Sequence, residues 1–159
     1  MIDKNFCQGE IHEVIITPDT HDRWSRHVRY DEDMPLLDMA FDRDVFIGRR
    51  QVSLFWSAGD EPVSTRDMLT FIETCKFQAG SVVTATRFVE KHLELIGEKR
   101  LTCLGSVVKP ENGEDGGIGF RVPIFHTGLF QAVILTTDIV KGGWPPRSTL
   151  FFGERLLEA

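Results

Sequence analysis

Few residues in this chain have the type and spacing to do chemistry. The three cysteines, Cys7, Cys75 and Cys103, are odd in number and widely separated, and they form no Cys-x-x-Cys pair. Neither a disulfide framework nor a structural zinc site is expected from that pattern. Cys75 has no histidine within one helical turn to act as its base, so it reads as a small core residue rather than a nucleophile. The histidines are His12, His21, His27, His92 and His126. His21 and His27 are six apart, not the i, i+4 spacing that presents two ligands on one helix face, so no metal site is expected. His126 precedes Thr127-Gly128 at the end of an apolar run. It is the candidate catalytic histidine, with a turn residue as the competing reading. Acids crowd residues 31–44 (Asp31, Glu32, Asp33, Asp38, Asp42, Asp44) but lack the alternating ligands and central glycine of a calcium loop. A solvated loop is the better reading.

The elements that must position these groups follow from hydrophobic periodicity. Residues 10–17 read as a strand ending at Pro18, and Asp19 and Thr20 as caps for a short helix over 21–28. Residues 45–56 alternate Val52, Leu54 and Trp56 in the period of a strand. Ser64 followed by Asp67 resembles a capping box. After it, Met68, Ile72, Cys75, Ala79, Val82, Val89, Leu93 and Ile96 recur at helical steps. That stripe predicts one long helix over 65–97, stopped by Gly97, with a break near Gly80 as the alternative. Phe77, Phe88 and Leu95 fall on the opposite face, so such a helix would be covered on both sides. Residues 100–109, 117–126, 129–140 and 148–157 read as four strands separated by turn-rich segments. Asn112-Gly113 and Asp115-Gly116 mark one of those turns, and Gly142-Gly143-Trp144-Pro145-Pro146 another.

The bulk properties set wide bounds. The 159 residues suit one domain, 1–159, with 42% hydrophobic and 26% charged residues. The net charge is −6, and no basic stripe is present, so neither nucleic acid nor an anionic membrane is an expected partner. The start of the chain lacks a signal-peptide core, and no apolar run approaches the ~18 residues of a membrane span. A cytoplasmic protein is expected.

One stretch carries a family resemblance. Gly59, Asp60 and Pro62, followed by a helix with Glu73 and then Gln78, Ala79 and Gly80, resemble the hotdog superfamily. Its thioesterases, acyl-carrier dehydratases and A-factor-synthesis-type domains show a Gly-Asp-x-Pro loop and an acid before Gln-Ala-Gly. The resemblance implies an α+β fold, an antiparallel curved sheet of about six strands around one long central helix. It implies binding or hydrolysis of an acyl thioester (acyl-CoA or acyl-carrier protein) by a homodimer or larger homo-oligomer, without a cofactor. Glu73 would then be general base or nucleophile, with Asp60 sharing the role. Gly59, Phe77, Gln78 and Phe88 would line the acyl site. Two features depart from the family. Glu73 precedes Gln78 by five positions rather than four, and the loop before the helix lacks the dehydratase histidine. By helix geometry Glu73 also lies about 140° from the buried stripe, as a solvent-facing residue would.

A second reading comes from a different class: a non-catalytic binding or assembly module, such as an adaptor or chaperone. An enzyme should place a carboxylate in a cleft, and an adaptor should show an exposed apolar patch or edge strand.

Overall fold

A computed structural model describes residues 5–17, 28–30, 40–41, 47–107, 120–127, 133–139 and 143–157. The expected helix over 21–28 (apart from Val28, which opens a strand), the acidic loop over 31–44 (apart from 40–41) and the Asn112–Gly116 turn lie outside these residues. The elements are β1 (Phe6–Gln8), β2 (His12–Ile16), β3 (Val28–Tyr30), β4 (Gly48–Ser57), β5 (Val63–Ser64), α1 (Thr65–Thr74), β6 (Gln78–Ala79), α2 (Val82–Lys91), α3 (Leu93–Ile96), β7 (Arg100–Thr102), β8 (Arg121–Thr127), β9 (Val133–Ile139), β10 (Gly143–Trp144) and β11 (Thr149–Leu156). A 3₁₀ turn spans Leu104–Ser106.

Nine strands form one sheet in the order β1-β4-β11-β7-β8-β9-β3, with β2 also on β4 and β6 also on β11. β11 pairs parallel with β7, and β3 with β9; the other pairs in the sheet are antiparallel. Successive side chains of a strand point to opposite faces, and both faces of the central strands are buried. Val52, Leu54, Leu150 and Phe152 enter one core with Val82, Val83, Ala85, Phe88 and Val89 of α2. Phe55, Phe151, Val122 and Ile124 enter a second core with Met68 and Ile72 of α1.

The hotdog-like architecture is therefore overturned. The sheet is mixed and larger than expected, and no long central helix forms. The stripe read as one helix over 65–97 is divided among α1, α2 and the short α3, with Cys75 capping α1 and Ala79 in β6, and α1 and α2 lie in different cores. α1 buries one face, through Met68 and Ile72, whereas α2 is buried all round from Val82 to Val89. What periodicity missed is the segment between them. Lys76 adopts φ 69°, a left-handed conformation that stops α1. Gln78 and Ala79 then become a strand, and Ser81 caps α2 by accepting from the Thr84 N–H.

That segment passes through the plane of the sheet. β4 occupies one side of β11 over Phe151–Leu156. On the other side β7 pairs over Thr149–Phe151 and β6 over Gly153–Glu154. β6 thus continues the sheet where β7 ends, and the chain moves from the α1 face to the α2 face beside it. Only backbone fits there. A Cβ on Gly80 would lie 2.1 Å from the Phe152 ring, and one on Gly105 would lie 2.4 Å from the Ala79 carbonyl oxygen. Gly80 donates to the Phe152 carbonyl at 2.7 Å and accepts from Gly105 at 3.0 Å.

At the edge of the sheet a second device changes faces. From Gln8 to His12 the chain takes four steps, while its partners on β4, Phe55 to Val52, take three. This bulge flips the side-chain phase. Phe6 faces the α1 core, whereas Val14 and Ile16 face the α2 core.

Gly105→Ala tests the crossing. The added methyl meets backbone that cannot step aside, so a loss of about 1–3 kcal/mol is expected, read from the urea midpoint. An unchanged midpoint would show that residues 78–81 are not held against the turn.

Candidate functional site

The candidate catalytic residues do not meet. Glu73 is exposed on α1, and His126 is half-buried on β8, opposite Ile134. Asp60 is exposed and paired with the exposed Arg147. Among the described residues no hydrogen bond or ion pair joins Glu73, Asp60 and His126.

The candidate lining residues are dispersed as well. Gly59 is half-buried beside Asn5 and donates its N–H to the Ser57 hydroxyl. Phe77 is buried in the α1 core, edge-on to Phe55 at 5.7 Å, with the Arg155 guanidinium 4.3 Å above its ring. Gln78 is exposed on β6. Phe88 is buried in the α2 core, stacked on His92 at 4.8 Å. Phe77 and Phe88 therefore lie on opposite faces of one sheet and share no tunnel.

Two of the cysteines offer little chemistry. Cys103 is fully buried, and desolvation pushes the Cys75 thiol above its ordinary pKa. Among the described residues no three His, Cys, Asp or Glu side chains are grouped to hold a metal ion.

Sequence reasoning overlooked two arrangements. The first is buried. Glu154 is 1% exposed in the middle of β11. Its Oε1 accepts the Ser81 backbone N–H at 2.5 Å, and its Oε2 accepts from Arg50 Nη1 at 2.5 Å and from the Thr84 hydroxyl at 2.9 Å. β11 thus supplies a carboxylate to the start of α2, where N–H groups lack partners within the helix. The signal was an acid, Glu154, following directly on the uncharged strand run Thr149–Gly153, since a buried charge there requires a partner. Both oxygens are committed and no solvent reaches them, so the group anchors a helix rather than meeting a substrate.

The second arrangement lies on the outer edge strand. After the bulge, Ile11, Glu13 and Ile15 alternate away from the α2 core. Ile11 is 48% and Ile15 55% exposed. Glu13 accepts from Arg49 Nε of β4 at 2.7 Å. That bond holds the Glu13 carboxyl below its ordinary pKa and raises that of Arg49. The pair's contribution is present above the ordinary carboxylate pKa and fades as pH falls through the lowered one. Beside it, Arg155 of β11 donates to Gln51 of β4. Ile47, just before β4, is also exposed. Among the described residues no strand pairs with the outer side of β2.

No protein-family model, no curated protein and no solved structure matches this chain.

Two outcomes are expected here. Glu154→Leu should cost about 3–5 kcal/mol by removing the carboxylate that Arg50, the Thr84 hydroxyl and the Ser81 N–H share, and adding Arg50→Met should restore the part of that loss that comes from the Arg50 charge. Denaturant melts of the single and double variants check it; equal losses in both would mean the carboxylate's bond to α2 matters more than its charge. Separately, Cys75 should be alkylated by iodoacetamide more slowly than free cysteine at neutral pH, its rate still climbing past the pH where free cysteine levels off.

Proposed function

We propose that this chain is a non-catalytic binding module that takes a protein partner by strand addition along the outer edge of β2. One observation carries the reading: Ile15 in β2 and Ile11 just before it present isoleucine side chains to water on either side of Glu13, along a strand whose outer side pairs with no described strand. Unpaired edge backbone with apolar side chains is what a docking segment extends. Lone exposed apolar residues are ordinary on protein surfaces, but here two alternate on one edge with Ile47 nearby.

The acyl-thioester reading drew its support from the strand order and from the segment Gly59 to Gly80. Among the described residues its candidates do not gather, with Phe77 and Phe88 on opposite faces of the sheet. Glu73, its proposed base, stands in solvent.

The test is a photo-crosslinking side chain placed at position 15 and, for comparison, at position 73. A discrete adduct with one protein from position 15 alone is expected, with no thiol release from a panel of acyl-CoAs. A discrete adduct from position 73 instead, or thiol release that disappears in Glu73→Gln, would overturn the reading.

A further inference from the structure

The edge of β2 also carries a charge pattern. Ile11, Glu13 and Ile15 share the exposed side of the strand, while Val14 and Ile16 turn to the core. A strand joining β2 would set its own alternate side chains directly beside these three. Glu13 already holds Arg49 on its inner side, on the β4 strand. That bond uses Oε1. The carboxylate is 39% exposed, and a carboxylate has acceptor capacity for more than one cation.

A second copy of this chain is a poor occupant. An antiparallel pairing that sets Ile11 against Ile15 of the other copy also sets Glu13 against Glu13, and like charges directly opposite one another are destabilising. A segment with a cation at the middle position instead completes a ladder of Arg49, Glu13 and the new cation across three strands.

Resting on the strand-addition reading above, we infer that the partner contributes an extended segment with apolar, basic and apolar side chains at alternate positions, the basic one seated against Glu13. The isoleucines take the two apolar residues and the carboxylate selects the register, because a slip of two residues places the cation against an isoleucine.

Two labelled heptapeptides test this with the intact protein. One alternates valine, lysine and valine between threonines; the other has glutamate in place of the lysine. Fluorescence anisotropy gives the affinities, and amide hydrogen exchange shows where each peptide sits. The lysine peptide should bind about three- to ten-fold more tightly, and the amides of residues 11–16 should gain protection. Glu13→Lys should reverse the preference, and Glu13→Gln should abolish it without reversal. Equal affinity for both peptides, with protection on β2, would overturn the charge inference and leave strand addition standing. Binding of neither peptide, or protection elsewhere, would overturn the inference, and the crosslink from position 15 then judges the module separately. Protection of β2 that grows with protein concentration and no peptide would name a second copy as the occupant.

Discussion

The whole arrangement hangs on one crossing of backbone by backbone. Between α1 and α2 the chain passes from one face of the sheet to the other through a gap just wide enough for Gly80 and Gly105. Such a gap exists because β7 leaves β11 after Phe151, and β6 takes its place at Gly153. Peptide groups in that position are buried and must be paired. They are: Gly80 bonds Phe152 and Gly105, Val82 donates to the Ser106 hydroxyl, and Ser81 donates to Glu154. The buried carboxylate belongs to this same requirement. It meets the start of α2 where the helix emerges on its new face, and it brings Arg50 with it.

The crossing produces two cores rather than one, and that determines which chemistry the fold can host. A helix lying along one face would bring its own residues and one sheet face together around a cleft. Here α1 and α2 each seal a face with apolar side chains, and the candidate carboxylates Asp60 and Glu73 are left in solvent. Among the described residues, Glu154 is the one fully buried acid, and its ligands are all protein. What remains open to solvent with a regular pattern is the margin of the sheet, where the bulge before β2 turns Ile11 and Ile15 outward as it turns Val14 and Ile16 in.

Much of the strand content was legible because half-buried strands alternate. The run 10–17 contains β2, 45–56 overlaps β4, 129–140 contains β9 and 148–157 contains β11. The Ser64–Asp67 cap was legible too, since its hydrogen bond is local: Ser64 Oγ accepts from the Asp67 N–H at 3.2 Å. The break between the helices was not. Met68, Ile72, Val82, Val89 and Ile96 keep helical spacing across it, and periodicity cannot tell one stripe from two that happen to be in phase. The decisive facts are a left-handed Lys76 and a glycine whose need for smallness comes from Phe152 in a strand 72 residues later. Such contacts are non-local, as is the pairing of Glu154 with Arg50. The long central helix implied by the resemblance at 59–80 is overturned for the same reason: those residues are a local loop and helix start, and the segment after them leaves the helix.

An open edge invites indiscriminate pairing, and soluble proteins usually blunt one with charge. Glu13 is such a charge, placed between two isoleucines, and its bond to Arg49 keeps it ionised to lower pH than an ordinary carboxylate. Under the proposed strand addition the same side chain would act in two ways: against another copy it would meet itself and repel, and against a basic residue it would attract. A guard that were merely protective would be better served by a lysine on each exposed position. One acid flanked by two large apolar side chains leaves area to bury and a sign to recognise, and so makes the edge selective, not inert.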